Sequence, residues 1–451
     1  MKSNRLRISL INLLLISLII GLLVNDHNGI STSPIKTTCN DYSIILMIGD
    51  GMGFNHVKLA RYIEVGKDQR LTMENLQLNF SVMTHNVQQL VTDSAAAATA
   101  MATGYKTING KIAILPNGTS LPTILELAQE MDKATGLVTT TSILHATPAS
   151  FMSHVDSRND YNEITRQIVE EVEVDILLGG GKKYFSSVHL ETMENKGYSI
   201  VENKSALLAH TSRKLLGLFA DSHMDYEITR NYELTPSLAD MTQKAITILD
   251  QNPNGFFLMV EGGRIDHGSH DNEKDLAALE AIEFELAVRK AVSYVKKHSN
   301  TILIITADHE TGGLTIVSDN LNETIPQSSF TEEQNRTIRI NRVNQIEVAW
   351  STGGHTNQTV PFFALGEPFE NLTSNLLIDN TDIFTIMHNY YLEKEIVIIG
   401  RTLVVVSPIK ASTIIISISI IISCIIWIRT KRKTKQQSCI FSQQQRHNES
   451  L

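Results

Sequence analysis

Short, nearly continuous apolar runs alternate with longer stretches of helical periodicity between residues 40 and 395. Such runs, bounded by glycine or polar residues, are typical of parallel strands buried on both faces. Their alternation with helices indicates an α/β fold. Strands are predicted at 43–48, 136–140, 175–178, 256–260, 301–306 and 362–365, and helices at 94–103, 121–131, 161–172, 237–252 and 272–298. The apolar run 396–406 suits either a last strand or a membrane-proximal segment.

Acidic and histidine side chains follow three of these strands at the point where each strand ends. Asp50 follows the first strand, Glu261 follows the run 256–260, and Asp308 with His309 follows the run 301–306. A single Asp after a strand is usually a helix cap. The carboxyl ends of parallel strands meet at one edge of a sheet, where ligands bind, so we expect these side chains to converge.

Asp266 and His270 are spaced to lie on one side of a helical turn, where they can bind one cation together. Mixed carboxylate and imidazole sets without thiolates suit zinc, and carboxylates with a hydroxyl suit magnesium. A random scatter of surface residues does not explain why these side chains stand where buried strands stop. The pattern therefore predicts a metal centre.

Ser94 begins a run of small residues, Ser-Ala-Ala-Ala-Ala, that predicts a helix packed closely against the sheet. In the first helical turn, free N–H groups and the helix dipole favour an anion. Asp93 or Ser94 is also a good N-cap, which is the simpler interpretation. Ser94 is a candidate nucleophile if a metal lowers the pKa of its hydroxyl.

Six motifs in this order along the chain resemble those of the alkaline phosphatase family. They are Asp-Gly-Met-Gly at 50–53, Thr-Asp-Ser-Ala at 92–95, His-Ala-Thr-Pro-Ala at 145–149 with Ser157-Arg158 following, Glu-Gly-Gly-Arg-Ile-Asp-His-Gly-Ser-His at 261–270, Thr-Ala-Asp-His-Glu at 306–310 and Gly-Gly-His-Thr at 353–356. They span most of residues 43–366, and the motif at 261–270 is highly specific by itself. The resemblance implies a three-layer α/β/α sandwich with a mostly parallel central sheet. It also implies hydrolysis of phosphate monoesters through a phosphoserine.

The resemblance implies a role for each matching residue. One zinc ion is expected on Asp266, His270 and His355, and a second on Asp50, Asp308 and His309. One magnesium ion is expected on Asp50, Thr147 and Glu261. Ser94 resembles the phosphorylated nucleophile and Arg158 the phosphate clamp. His145 and His267 occupy positions that differ among family members and that tune the third metal site and phosphate release, so the occupant of that site stays open.

The two ends of the chain carry export and membrane signals. Residues 1–30 contain three basic residues followed by an apolar run, as in a secretory signal peptide or an uncleaved N-terminal anchor. The uncharged stretch 411–428 precedes a basic cluster, which predicts a transmembrane helix with a cytoplasmic tail at 429–451. A lipid-anchor signal fits less well, because polar residues follow the apolar stretch. We therefore expect a single-pass cell-membrane protein with its catalytic domain, 38–395, outside the cytoplasm and a juxtamembrane segment at 396–410.

The charge balance limits the partners of this domain. The formal net charge is -9, with 39 Lys and Arg against 48 Asp and Glu, and both ends are basic. The body is thus distinctly acidic, which argues against nucleic-acid binding. Cys39 is the one cysteine outside the predicted span and tail, so no disulfide is expected within the domain. Sequons permit glycosylation at Asn79, Asn117, Asn203, Asn322, Asn335, Asn357 and Asn371.

Phosphate monoesters are the expected substrates, and the sequence leaves other functions open. A metal-dependent phosphodiesterase or phosphonate hydrolase is the nearest alternative, but the Asp93-Ser94-Ala95 context favours the monoesterase. A non-catalytic membrane glycoprotein fits poorly, since no ligand position is replaced.

The stretch 313–353 is short for the family, so an additional surface domain is expected to be reduced or absent, and a homodimer is compatible with the sequence. The histidines outside the motifs are expected to be ordinary core or surface residues: His56, His85, His154, His189, His210, His223 and His298.

Overall fold

The structure is a computed structural model that describes residues 41–406, apart from 77, 323, 370–375, 394, 400 and 401. The predicted leader, transmembrane helix and basic tail lie outside the described residues. Within the described part of the chain, no helix has both the length and the apolar character needed to cross a membrane.

Most of the strands form one large sheet at the centre of the domain. The strands are β1 (Ser43–Gly49), β2 (Leu78–Met83), β3 (Ala134–Ser142), β4 (Ile176–Gly180), β5 (Ser199–Val201), β6 (Leu215–Leu218), β7 (Phe256–Gly262), β8 (Thr301–Thr306), β9 (Glu310–Thr311), β10 (Thr315–Asp319), β11 (Ile346–Ala349), β12 (His355–Thr356), β13 (Val360–Leu365), β14 (Leu377–Asp379), β15 (Glu395–Ile399) and β16 (Thr402–Val406). Ten of them make the central sheet in the order β14-β2-β13-β8-β1-β7-β3-β4-β6-β5. The expected α/β fold with a mostly parallel central sheet is confirmed.

Helices connect most of these strands. They are α1 (Phe54–Glu64), α2 (Ser94–Thr103), α3 (Ile124–Glu130), α4 (Ala146–Met152), α5 (Tyr161–Glu170), α6 (Ser187–Asn195), α7 (Lys204–Ala209), α8 (Leu238–Leu249), α9 (Arg264–His270), α10 (Lys274–Val295), α11 (Glu332–Val343) and α12 (Asn380–Tyr391). Short 3₁₀ turns occur at Met73–Asn75, Lys182–Tyr184 and Glu367–Phe369. The helix predicted at 94–103 is found with those bounds, while the other predicted helices are shorter at their ends.

The start of α10 shows why a predicted helix boundary moved. Helical periodicity suggested a start at residue 272, but Asn272 has a φ of 57°, in the left-handed region. A residue in that conformation cannot continue a right-handed helix. The chain therefore breaks between α9 and α10, and this break leaves His270 at the end of its own short helix.

The centre of the sheet explains how the candidate ligands meet. Strand β1 lies between β7 and β8 and is parallel to both, with Ile48 opposite Glu261 on one side and Thr306 on the other. Every residue of these three strands is buried, as their continuous apolar runs predicted. The carboxyl ends of the three strands therefore lie side by side, and the residues that follow them lie at the same edge of the sheet.

The prediction that the run 362–365 is a parallel strand was wrong. Strand β13 is antiparallel to both of its neighbours, β2 and β8. A strand buried on both faces is continuously apolar in either direction, so the pattern carries no information about orientation. The direction follows from the chain path, since β12 pairs with β9 just beyond the carboxyl end of β8 and β13 begins shortly after it.

Two peripheral segments complete the fold. The short stretch 313–353 forms a two-stranded antiparallel sheet, β10 with β11, and helix α11. The run 396–406, for which the sequence left two interpretations, forms most of an antiparallel pair of strands, β15 with β16.

One buried carboxyl of helix α10 gives a pH-dependent stability prediction. Glu280 is buried and its Oε1 accepts a hydrogen bond from the backbone N–H of Glu227 at 2.7 Å. Burial, followed by the charge of Glu227, raises the pKa of Glu280 from 4.5 to about 7. Between these two values the folded state binds more protons than the unfolded state, so the free energy of unfolding falls as the pH rises through this window.

We expect Glu280→Gln to raise the free energy of unfolding by about 2–3 kcal/mol at pH 8 and by less than about 1 kcal/mol at pH 5. Urea unfolding at the two pH values measures the difference. Glu194→Gln, on an exposed glutamate, is the matched control. An equal change at both pH values would contradict the assignment.

Candidate active site and metal centre

The first group of candidate ligands comprises Asp266, His270 and His355. Nε2 of His270 lies 3.4 Å from Asp266 Oδ2, and Nε2 of His355 lies 3.7 Å from Asp266 Oδ1. The two Nε2 atoms are 3.0 Å apart. As predicted, α9 places Asp266 and His270 on one side of a helical turn.

Backbone carbonyls orient both imidazoles of this group. Nδ1 of His270 lies 2.8 Å from the carbonyl oxygen of Gly353, and Nδ1 of His355 lies 2.8 Å from that of Thr92. A carbonyl only accepts, so each Nδ1 carries a proton, which makes Nε2 the nitrogen that is available to bind a metal ion. Metal-binding histidines are commonly held in this way. The contact to Thr92 also links the ligand His355 to the segment that carries Ser94.

The second group comprises Asp50, Asp308 and His309, all fully buried. Nε2 of His309 lies 3.5 Å from Asp50 Oδ1 and 3.2 Å from Asp308 Oδ2. Both oxygens of Asp50 and Oδ2 of Asp308 are buried without a hydrogen-bond partner among the described residues. A cation stabilises the ionised form of carboxylates buried in this way, so this donor set fits a bound metal ion.

A third group lies next to Asp50. One oxygen each of Asp50 and Glu261 and one nitrogen of His145 lie within 4.8 Å of one another. Oε1 of Glu261, Oγ1 of Thr147 and Nδ1 of His145 are buried and lack hydrogen-bond partners in the described structure. The hydroxyls of Thr139 and Thr141 donate to the other oxygen, Oε2 of Glu261. Oε1 of Glu261 is therefore available to bind a cation. Carboxylate and hydroxyl oxygens suit a hard cation.

The electrostatics of the site agree with these groups. Burial, followed by the charge of Asp266, raises the pKa of Asp308 to about 7. Burial and then the charge of Asp308 raise the pKa of Asp50 well above its usual value. Burial, with the neighbouring His355, lowers the pKa of His309 well below its usual value. Divalent cations would offset the repulsion between these carboxylates, because they are the largest local charges such a site can hold.

Ser94 is the first residue of α2 and is buried beside the second metal group. Its Oγ lies 3.3 Å from Nε2 of His309. Asp93 caps the helix, since its Oδ1 accepts the N–H of Ala96 at 2.9 Å. The cap is thus made by Asp93, and the hydroxyl of Ser94 faces the ligand histidine.

Two side chains orient the guanidinium of Arg158. Nη1 donates to Oδ2 of Asp93 at 3.2 Å, and Nη2 lies 3.1 Å from Nε2 of His145. The backbone N–H of Arg158 donates to the carbonyl of Gly110 at 2.7 Å. Asp93 therefore joins the nucleophile's helix to the candidate phosphate clamp, and His145 joins that clamp to the third group.

The sequence did not single out His223, which lies with two of the predicted residues. Its ring centre is 5.6 Å from that of His145 and 4.6 Å from that of His267. Burial, followed by the charge of His145, lowers the pKa of His223 to about 4 and that of His267 to about 3. Nδ1 of His267 faces Nη1 of Arg264 at 2.7 Å. His223 comes from the loop after β6, and nothing in its local sequence marks it.

The structure thus brings together at one sheet edge all the residues that the sequence analysis selected: Asp50, Ser94, His145, Thr147, Arg158, Glu261, Asp266, His267, His270, Asp308, His309 and His355. The contributions of Thr139, Thr141 and Thr311 were not predicted, and Asp93 was expected only as a possible N-cap, without its contact to Arg158. Each of these four residues supports a predicted residue through a side-chain hydrogen bond.

Comparisons with known proteins agree with this geometry. The family model described as "Alkaline phosphatase" matches residues 42–338. Alkaline phosphatase 3 of Bacillus subtilis (strain 168) is 34% identical over 404 residues, which cover 76% of this chain and 87% of that protein. Alkaline phosphatase 4 of the same strain is 38% identical over 330 residues, which cover 70% of this chain and 71% of that protein.

A solved structure is similar over most of the chain as well. The crystal structure of a cold-active alkaline phosphatase from the psychrophile Shewanella sp. matches with a TM-score of 0.68 and 30% sequence identity, covering 77% of this chain and 99% of that one. The residues of the candidate metal clusters, apart from His355, lie within residues 42–338, which the family model matches. This chain therefore belongs to the alkaline phosphatase family of metal-dependent enzymes and is a phosphomonoesterase.

Proposed function

We propose that this enzyme hydrolyses phosphate monoesters through a phosphoserine on Ser94, with two zinc ions and one magnesium ion. The observation that carries the proposal is the position of Ser94 Oγ, 3.3 Å from His309 Nε2, beside the three groups of candidate metal ligands. Zinc suits the two mixed Asp and His groups, and magnesium suits the group with Glu261 and Thr147. Bound there, the metal ions supply Lewis-acid stabilisation of the attacking and leaving oxygens and neutralise the carboxylates.

The chain's own residues then account for two displacements at phosphorus. In the first, the bond from Ser94 Oγ to phosphorus forms while the ester oxygen–phosphorus bond breaks, Ser94 loses its hydroxyl proton, and the leaving oxygen takes up a proton to depart as the alcohol. In the second, a water oxygen bonds to phosphorus and loses a proton while the Ser94 Oγ–phosphorus bond breaks. Ser94 Oγ takes up a proton again, and inorganic phosphate is released. The first-turn N–H groups of α2 favour the negative charge of the phosphoryl group in both steps.

Arg158 binds the phosphoryl group in this proposal. A guanidinium presents donors in a planar fork that matches two phosphoryl oxygens, which a lysine cannot do. The contacts to Asp93 and His145 hold that fork in place before substrate binds. Pre-organisation of this kind lowers the entropic cost of reaching the reactive geometry. His145 and His267 are proposed to tune the third metal site and phosphate release.

The remaining proposals concern the setting of the enzyme. Helices α8 and α10 contact each other and strands of the sheet. Helix α4 also contacts the sheet, and α2 packs against α4. This packing supports a three-layer sandwich. The sequence supports a single-pass cell-membrane location through residues 411–428 with the catalytic domain outside the cytoplasm, and it is compatible with a homodimer.

The reaction is tested with the purified full chain supplied with zinc and magnesium. We expect kcat/KM for an aryl phosphate monoester to exceed that for the matching diester by at least about 10³-fold between pH 7 and 10, since the diester lacks one anionic oxygen for the clamp. Acid quenching during turnover of a ³²P-labelled monoester should leave label on Ser94. Faster turnover of the diester, or no turnover of either ester, would refute the proposal.

A further inference from the structure

The hydroxyl of Thr311 contacts residues from both candidate zinc sites. Thr311 lies in β9 and is fully buried. Its Oγ1 donates to Oδ1 of Asp266 at 2.6 Å and lies 3.2 Å from Nδ1 of His309. Asp266 belongs to the first group of donors and His309 to the second. One side chain thus links the two.

The proton positions in this arrangement follow from the donor inventory. A hydroxyl has one hydrogen to give, and Thr311 gives it to the carboxylate of Asp266. The hydroxyl oxygen can therefore only accept from His309, so Nδ1 of His309 carries a proton and Nε2 keeps its lone pair. Nε2 is the atom that faces Asp50, Asp308 and Ser94. Thr311 thereby selects the tautomer that can bind a metal ion.

The backbone of Thr311 is fixed as firmly as its side chain. It is paired with His355 in the β9–β12 ladder, and its N–H donates to the carbonyl of Gly51 at 3.1 Å. Gly51 has a φ of 72°, and a Cβ there would lie 2.8 Å from Thr311 Oγ1 and 2.9 Å from Asp266 Oδ1. Glycine is needed at position 51 because of its positive φ and because a Cβ there would lie too close to these two atoms. The backbone at Gly51 therefore packs tightly against the Thr311 hydroxyl.

We propose that Thr311 is a positioning residue that holds Asp266 and His309 in metal-binding geometry and so couples the two zinc sites. This inference rests on the proposed two-zinc assignment. Residues that hydrogen-bond metal ligands typically contribute 10- to 100-fold to metal affinity. The role of Thr311 is therefore measurable in the protein without any turnover.

The test compares Thr311→Val, which keeps the shape and removes the hydroxyl, with Thr311→Ser, which keeps the hydroxyl. Each full-length protein is stripped of metal and titrated with zinc by calorimetry, and the visible spectrum of the cobalt-substituted form is recorded. We expect Thr311→Val to lose about 10- to 100-fold in zinc affinity and to alter the cobalt spectrum. Thr311→Ser should stay within about threefold of the parent protein.

Thr242→Val is the matched control, because it removes a buried hydroxyl whose hydrogen bond, among the described residues, stays within α8 and goes to the carbonyl of Leu238. Thr311→Ala serves as the second hydroxyl-free variant if Thr311→Val fails to fold. Parent-like zinc affinity and cobalt spectrum in a folded hydroxyl-free variant would overturn the role of Thr311. Fewer than two zinc ions in the parent protein would instead overturn the two-zinc assignment, and the inference with it.

Discussion

Replacement of Ser94 by alanine is expected to lower kcat/KM for an aryl phosphate monoester by about 10⁴-fold, because it removes the hydroxyl that is proposed as the nucleophile. Ser94 Oγ lies beside His309 Nε2 at the N-terminus of α2. The substitution should not unfold the protein. Asp93 makes the helix cap, and alanine has a higher helix propensity than serine.

Two measurements separate lost chemistry from lost folding in Ser94→Ala. The zinc content and Tm of the variant should match those of the parent protein, and the acid-stable phosphoenzyme should be absent. Ser153→Ala is the matched control, since Ser153 Oγ is buried without a hydrogen-bond partner among the described residues and lies at the end of α4. A Ser94→Ala enzyme that keeps more than about a tenth of the parent kcat/KM would exclude Ser94 as the nucleophile.

The sequence could predict the centre of this site because the relevant information is local. Asp50, Glu261 and Asp308 each stand at the end of a buried strand, and neighbouring parallel strands necessarily bring such positions together. The spacing of Asp266 and His270 fixes their relative position within one helical turn. For these residues, a correct prediction of the strand or helix nearly determines their position in the site.

The supporting residues could not be found in the same way. Thr311 is a small polar residue that follows a motif, and its importance depends on where the carboxylate of Asp266 lies, far away in sequence. Thr139 and Thr141 sit inside β3, where β-branched residues are expected for strand propensity alone. Their hydroxyls matter only because β3 pairs with β7 and thus faces Glu261. Such contacts depend on strand order, which periodicity does not encode.

His223 and β13 illustrate two further limits. His223 reaches the site from a loop, and loop paths follow from tertiary packing more than from local pattern. The apolar run of β13 does not determine the direction of the strand. That direction follows from the chain path, because β12, which carries His355, pairs with β9 before β13 runs back along β8. The residues that carry the chemistry were therefore easier to predict than those that hold them.

The charge of the site predicts a strong dependence of stability on bound metal. Asp50, Asp266, Asp308 and Glu261 are all buried within one small region. Without cations, folding must either bury these charges against one another or protonate them, and the raised pKa of Asp308 and Asp50 reflects that cost. An ion that binds only the folded state, at a free concentration of about 1,000 times its Kd, stabilises that state by about 4 kcal/mol.

Removal of the metal ions by a chelator is therefore expected to abolish activity and to lower the Tm by about 16–32 °C, since two such ions contribute roughly 8 kcal/mol and each kcal/mol shifts the Tm of a large domain by about 2–4 °C. Calorimetry of the chelated and reconstituted protein measures this shift. Zinc together with magnesium should restore both activity and Tm, whereas calcium, which prefers six to eight oxygen ligands, should not restore activity. A chelated protein with unchanged Tm would show that the carboxylates are balanced by the chain itself, and the metal assignment would then be wrong.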